Sequence, residues 1–311
     1  MSFMDQIANN KPIALACRMD SERAIRLTKD IFNFLIKEKG ENVVLETRIA
    51  PRIMSHNAMD LSEMSASKVK FLASVGGDGT VLRVVNGLYQ KDPPPLLGIN
   101  IGSVGFLDET NERKIFKDLE KVLMGEYLIE KVSKITPYVV KKNGEEAKLN
   151  NALNEILIVS SKHSKVLQVS VKINGVFLNR SYLDGVIVST STGSTAYNLS
   201  AGGAIVFPTL DIMQITSLNA FARSGLKPII VPIDSKIEVK LLRPRLDAKI
   251  IIDGQVSIKG ITPKTKIRIR KADSHVKFLR LSKTLYTNYF RRLKKKIIGQ
   301  LRVPIDDSPE E

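Results

Sequence analysis

The chain is poor in the residues that build crosslinks and metal clusters. It has one cysteine, Cys17, and three scattered histidines, His56, His163 and His275. A single cysteine excludes an internal disulfide and a cysteine metal cluster, and scattered histidines argue against a histidine metal site. A reducing, cytoplasmic setting is the expectation. No apolar run is long enough to span a membrane. Met1 to Lys11 carries acid and amide groups and no signal-like apolar core. A Walker-type loop, with its lysine after a glycine run, is also absent. Any phosphate charge must therefore be met in another way.

What remains describes a globular chain. Its 311 residues are 43% apolar and 26% charged, enough for two domains with ample core. The net charge of +16 is concentrated near one end. From Lys264 to Arg302 fourteen Lys and Arg face a single acid, Asp273. Such a block attracts nucleic acid, a membrane surface or phosphorylated small molecules, or is simply a solvated face. Tyr286, Tyr289, Phe290, Leu293, Ile297 and Leu301 keep helical spacing, with Arg291, Arg292, Lys294, Lys295 and Lys296 largely between them. This predicts an amphipathic helix docked on a core, its charges in solvent or near phosphates. Asp306 to Glu311 is expected to be a frayed acidic tail.

Strand and helix alternate in the first part. Pro12–Cys17, Val43–Thr47, Phe71–Val75 and Leu96–Ile101 read as buried strands. Ser21–Glu38, Val81–Leu88 and Ile115–Met124 read as helices. This predicts a parallel sheet with helices on its faces. Beyond about residue 130 the period becomes two. Val169, Val171 and Ile173 alternate into Asn174-Gly175, a hairpin turn signal. Ile237–Leu241 and Ile267–Arg270 alternate as well, and Asp253-Gly254 turns the chain after Ile250–Ile252. The expected division is an α/β domain over 1–130, a β-rich domain over 131–275 and a closing segment over 276–311.

The most informative string is Gly76-Gly77-Asp78-Gly79-Thr80, between an apolar strand and a helix. Glycines let a backbone approach a phosphate, and free N–H groups at a helix start favour an anion. The carboxylate of Asp78 adds something a phosphate cradle alone would not need. It points to a metal, a sugar hydroxyl or a proton to be taken. A lone Gly-Asp-Gly is as readily a tight loop whose Asp caps the helix. The full string after a strand favours the anion reading.

A second constellation runs from Asp184 to Tyr197. The strand-like Gly185–Val188 leads into Ser189-Thr190-Ser191-Thr192-Gly193-Ser194-Thr195-Ala196-Tyr197. Hydroxyls and loop amides there can bind a polar heterocycle or a phosphate, and Tyr197 offers a ring face for stacking. The plainer reading is a loop capping a helix at Ser194 or Thr195. Ala201-Gly202-Gly203-Ala204 then permits close packing. Asn154-Glu155, at the start of a strand, sets an amide beside a carboxylate, and the carboxylate suits vicinal sugar hydroxyls.

These segments resemble, in order and spacing, the NAD kinase family. Leu97-Gly98-Ile99-Asn100, Gly105-Phe106-Leu107, Asp253-Gly254-Gln255 and Tyr289-Phe290-Arg291-Arg292-Leu293 look like that family as well. The resemblance covers roughly residues 10 to 300. It implies a Rossmann-like N-terminal domain, a predominantly β C-terminal domain that binds dinucleotide, and a C-terminal helix returning to the first domain. It implies transfer of the terminal phosphate of ATP, or of polyphosphate, to the 2′-hydroxyl of the adenosine ribose of NAD, with a divalent metal, Mg²⁺. Asp78 would be the catalytic base or orienting group, with Gly76, Gly77 and Thr80 in the phosphate loop. Asn154 would hold the adenine, Glu155 the ribose and Asp184 the nicotinamide amide. Gly79, Phe106, Thr192, Thr195, Ala196 and Tyr197 would complete the dinucleotide pocket. A homodimer or homotetramer, with neither a membrane nor a specific nucleic acid as partner, is implied as well.

Two other readings stay open on the residues alone. The glycine turn is shared with diacylglycerol and sphingosine kinases and with phosphofructokinases, so a lipid kinase is one. A nucleic-acid-binding module using the basic block is the other. The lipid kinase gives no reason for Asn154-Glu155 or the Thr-Gly-Ser-Thr-Ala-Tyr run, and the binding module gives no role to Asp78. One departure from the family lies at Phe221–Pro228, where Ala222 stands in place of a histidine found in many relatives.

Overall fold

A computed structural model of the chain describes residues 11–103, 105–141, 143–162, 165–220, 226–242, 247–262, 265–281 and 285–298. The divergent Phe221–Gly225 stretch and the Asp306–Glu311 tail lie outside these residues, as does Leu301. The chain forms two compact units. The first takes Met1–Val84, Pro94–Glu130 and Lys277–Glu311, and the second takes Val85–Pro93 and Lys131–Val276. Among the described residues no helix is long and apolar enough to cross a membrane.

In the first unit, strands Ile13–Cys17, Val43–Glu46, Ala58–Met59, Leu72–Gly76 and Leu96–Asn100 pair in parallel. Counted along the chain as first to fifth, they lie in the order fifth, fourth, first, second, third. Phe278 pairs with Leu96 in parallel at the fifth strand. The sequence of the first, fourth and fifth strands is nearly all apolar because both sheet faces are covered; each of their residues is buried. Ile13, Leu15, Val75, Leu97 and Ile99 pack with Ile25, Ile31 and Leu35 from one helical segment and Ile115 and Leu119 from another. The helix Glu22–Asn33 starts where Ser21 accepts the Ala24 N–H at 3.3 Å. The expected continuation to Glu38 exists, but as a π-helical turn, Phe34–Glu38, which ends at Gly40 with φ 65°. The helix after the glycine turn spans Asp78–Gly87. Its Arg83 is fixed by the buried Glu46 through contacts of 2.6 and 2.8 Å.

This strand order reverses direction between the first and fourth strands. In open α/β sheets ligands bind outside the carboxyl ends of the strands at such a switch point. Arg18 follows the first strand and Gly77 the fourth, so the topology alone points to this edge.

The second unit is built from two antiparallel sheets. One runs Val176–Leu183, Leu167–Ile173, Ile237–Leu241 and the earlier part of Lys266–Arg280. The other runs Ile229–Pro232, Ile212–Leu218, Gly185–Thr190, Glu155–Ser160, Ala248–Ile252 and Val256–Ile261. Alternate residues of both, among them Ile156, Ile158, Val186 and Val188 with Val169, Val171, Val239 and Ile267, share one core. Both expected turns are present. Asn174 and Gly175 have φ of 50° and 84°, and Asp253 and Gly254 have 49° and 66°.

Candidate functional site

In the first unit the residues after the switch-point strands line a cleft of about 230 Å³. Arg18, Gly76, Gly77, Asp78, Asn100, Gly105 and Lys296 belong to its wall. Asp78 is the first residue of its helix, yet its carboxylate does not turn back as a cap. Oδ1 accepts the Leu107 N–H at 3.0 Å, and Oδ2 accepts the Phe106 N–H at 3.1 Å. The same Oδ2 accepts from Lys296 Nζ at 2.9 Å. The capping reading is therefore corrected: the carboxylate is fixed against the Gly105–Leu107 loop.

That loop has its own supports. A Cβ on Gly105 would lie 2.2 Å from Asp78 Oδ1 and 2.5 Å from Asp108 Oδ2, so a side chain there would displace the loop or the carboxylates. Asn100 Nδ2 donates to Asp108 Oδ2 at 2.6 Å, while the buried Oδ1 of Asp108 has no partner. Burial, with the Asp78 charge adding to it, pushes the Asp108 carboxyl up to about 7. Arg280, itself buried, donates to Glu130 at 2.7 Å, to Glu109 at 3.3 Å and to the Leu107 carbonyl at 3.4 Å. Within the glycine string, Thr80 is buried with its N–H on the Gly77 carbonyl at 2.8 Å. Gly77 and Gly79 face open space, which leaves that turn approachable. Phe106 is half-buried.

The closing helix, Leu285–Leu293, corrects a sequence expectation. Tyr289 is buried and meets the Phe106 ring, but Phe290 is 56% exposed, so the apolar stripe is narrower than its spacing predicts. Two of the basic residues face protein rather than solvent. Arg292 donates to the Phe106 carbonyl at 3.2 Å, and Lys296 reaches Asp78.

In the second unit Asn154 and Glu155 are both buried at the start of their strand. The Asp253 carboxylate gathers this corner. It accepts from the N–H groups of Leu153, Asn154 and Glu155 at 2.8, 2.7 and 3.1 Å, and from Asn86 Nδ2 at 3.1 Å. The Asp253 N–H returns a bond to the Glu155 carbonyl at 3.0 Å. With the backbone held, the Asn154 Oδ1 and Glu155 Oε2 atoms are buried without partners. Buried polar atoms without partners are costly, and a ligand with donors would satisfy them. Burial, with the Asp253 charge second, pushes the Glu155 carboxyl up to about 8.

Part of the Asp184–Tyr197 run joins this corner. Ser189 pairs with Glu155 across adjacent strands, and Thr190 Oγ1 donates to the Leu153 carbonyl at 2.6 Å. Gly193 packs on Asn154, whose carbonyl oxygen would lie 2.2 Å from any Cβ there. The helix-capping expectation at Ser194 or Thr195 is not met. A 3₁₀ turn, Thr192–Thr195, precedes Tyr197–Ser200, which starts at Ala196 without a side-chain cap. Thr192, Thr195 and Ala196 are half-buried, and Tyr197 is 45% exposed. Asp184 is separated from this group. It lies exposed at the opposite end of the Gly185–Thr190 strand and accepts from Asn219 Nδ2 at 2.9 Å. Five residues at ~3.4 Å each set it roughly 17 Å from Ser189.

Sequence reasoning missed Asp108, Lys296, Asn86 and the role of Asp253. Asp253 carried one usable signal: an acid at a turn position that calls for positive φ. Among the described residues no cluster of three or more His, Cys, Asp or Glu could hold a metal ion.

Residues 13–127 match the family model for the ATP-NAD kinase N-terminal domain, and residues 153–281 match that for the C-terminal domain. An NAD kinase of Thermococcus gammatolerans is 35% identical over 282 residues, 91% of this chain and 98% of the relative. One from Methanosarcina mazei is 33% identical over 92% of this chain and 94% of its own. A crystal structure of an Archaeoglobus fulgidus NAD kinase in complex with ATP superposes with a TM-score of 0.72 at 27% identity, covering 91% of this chain and 98% of that one. A yeast NADH kinase complexed with NADH, 20% identical, shares the fold with a TM-score of 0.81, covering 96% of this chain and 89% of that chain. Both halves match, which a shared glycine turn alone would not produce, and the lipid-kinase reading gains no support. The chain therefore belongs to the NAD kinase family, phosphotransferases that use ATP to phosphorylate NAD.

Proposed function

We propose that Asp78 is the group that activates the acceptor hydroxyl. One observation carries the reading: a carboxylate fixed by two loop N–H groups at the switch point, on the wall of a cleft with Gly76 and Gly77. Phosphoryl transfer asks a protein for positioning and charge stabilisation more than for covalent chemistry. As the ribose 2′-oxygen bonds to the terminal phosphorus of ATP, its proton passes to Asp78. The bond from that phosphorus to the bridging oxygen breaks, and the electron pair leaves with ADP. The open Gly77–Gly79 backbone at the helix start accommodates phosphate.

In the second unit, Asn154 would hold the adenine and Glu155 the ribose hydroxyls, through the two partnerless buried oxygens. Thr192, Thr195, Ala196 and Tyr197 would complete this dinucleotide pocket, and Asp184 would serve the nicotinamide end. Homo-oligomer formation, a dimer or tetramer, belongs to the same reading.

A divalent cation, Mg²⁺, fits the donors present. The cleft offers hard oxygen ligands, the Asp78 carboxylate and the Ser103 hydroxyl, but few of them. An ion with so few protein ligands keeps its waters and is held mainly by the phosphates of ATP. When bound it would neutralise phosphate charge.

The test is direct. Pure protein incubated with Mg²⁺, NAD and either ATP or polyphosphate should yield NADP, read by an NADP-specific dehydrogenase. No NADP from either donor would defeat the reading.

A further inference from the structure

The family fold explains the glycine turn and Asp78, but it leaves open which cation meets the phosphate, since no Walker lysine exists. Three consecutive lysines, Lys294, Lys295 and Lys296, follow the closing helix in a π-helical turn, Lys294–Ile298. Lys294 and Lys295 are exposed. Lys296 alone of the three turns inward. Its ammonium lies 2.9 Å from Asp78 Oδ2 and 4.8 Å from the centre of the Phe106 ring. Phe106 is itself fixed by Tyr289, at 5.8 Å between rings, and by Arg292 on its carbonyl. Residues of the closing segment thus aim one ammonium at a cleft wall 218 positions earlier in the chain.

Two further observations single out this lysine. Arg18, the other cation lining the cleft, is engaged by Asp20 through two contacts of 2.8 Å. Asp78 already accepts from two backbone N–H groups besides Lys296. A carboxylate has about four acceptor sites, so three are filled with Lys296 in place. Oδ2 holds two of the three, the Phe106 N–H and the ammonium, and the open site is on Oδ1. An anion of higher charge arriving beside Gly77 would draw the ammonium away and free a site on Oδ2.

We propose that Lys296 is the phosphate ligand of the active site, shared between Asp78 and the terminal phosphate of ATP. It takes the place of the missing Walker lysine and couples donor arrival to the release of Asp78 as proton acceptor. This rests on the phosphotransfer reading above. It also changes what the basic block is for: one of its charges is part of the site.

The experiment compares Lys296→Met, Lys296→Arg and, as control, Lys295→Met in the full chain. Steady-state NADP formation is combined with titration of ADP and of β,γ-imido-ATP. Removing a preorganised charge from the transferred group typically costs ~10²–10³ in rate, so kcat/KM for ATP should fall that far in Lys296→Met. Binding of β,γ-imido-ATP should weaken about tenfold or more, with ADP and NAD affinities changed less than about threefold. Lys296→Arg should recover part of the loss, and Lys295→Met should match wild type. A Lys296→Met protein of unchanged Tm that stays within about threefold of wild-type kcat/KM would overturn the proposal. So would equal weakening of ADP and β,γ-imido-ATP. If wild type forms no NADP, the phosphotransfer reading fails, while the contrast between the two nucleotides still decides the role of Lys296.

Discussion

The Asp253 carboxylate accepts the Asn154 N–H at 2.7 Å across 99 residues of sequence. It accepts the neighbouring N–H groups of Leu153 and Glu155 too, so it sets the backbone from which both proposed NAD ligands project. An acid at φ 49° costs little more than an asparagine there and puts its oxygens at the strand start.

Asp253→Ala should strand the three buried N–H groups of Leu153, Asn154 and Glu155. Each orphaned donor costs about 1–3 kcal/mol, so a loss of about 3 kcal/mol or more is expected in urea unfolding. NAD titration of the folded protein should show weakening of about tenfold or more, with ATP binding nearly unchanged. A stability loss below about 1 kcal/mol would show that the corner does not depend on this residue.

Asp78→Asn should fold normally, because the amide oxygen can still accept a loop N–H. Losing a general base typically costs ~10²–10⁴ in rate, and kcat for NADP formation should fall within that range. More than about half of wild-type kcat would remove Asp78 from the chemistry and leave it a structural clasp for the 105–107 loop.

The first unit was legible because local patterns and packing agree there. Fully buried parallel strands must be apolar runs, and Ile13–Cys17, Leu72–Gly76 and Leu96–Asn100 are such runs. Both hairpin turns were legible because positive φ restricts the residue types to Asn-Gly and Asp-Gly. The site was legible only as strings. Lys296 could not be told from Lys294 and Lys295 by composition, because what sets it apart is tertiary: its contacts with Asp78 and the Phe106 ring. Asp108 and the carboxylate contacts of Asp253 were opaque for the same reason: their partners come from elsewhere in the chain. Phe290 shows the opposite error, an apolar residue in register that packing leaves exposed.

Gly105→Ala tests the loop that fixes Asp78. The new methyl would meet Asp78 Oδ1 at 2.2 Å and Asp108 Oδ2 at 2.5 Å, distances no folded protein keeps. The loop or the carboxylate must move. Because a misplacement of about 1 Å can cost ~10²-fold in rate, kcat should drop by about that factor while Tm falls only modestly. Activity within about twofold of wild type would mean that the exact seat of Asp78 is unimportant.

Glu155 should reveal its burial through pH. Its carboxyl stands at about 8 in the folded chain against an ordinary 4.5, chiefly because burial penalises the charged form, with Asp253 adding repulsion. The folded state therefore holds a proton that the unfolded chain releases. The stability this contributes is complete below about pH 4.5 and is lost as the pH rises towards 8. Glu155→Gln cannot ionise and should not suffer that loss. Thermal melts should then show the variant gaining on wild type steadily from pH 5 to pH 8, in buffers of about 0.15 M salt. A Tm difference flat across this window would mean that Glu155 is charged and solvated when folded. NAD should oppose the trend in wild type, because ribose hydroxyls donating to Oε2 stabilise the carboxylate form, and saturating NAD should narrow the gap at pH 8.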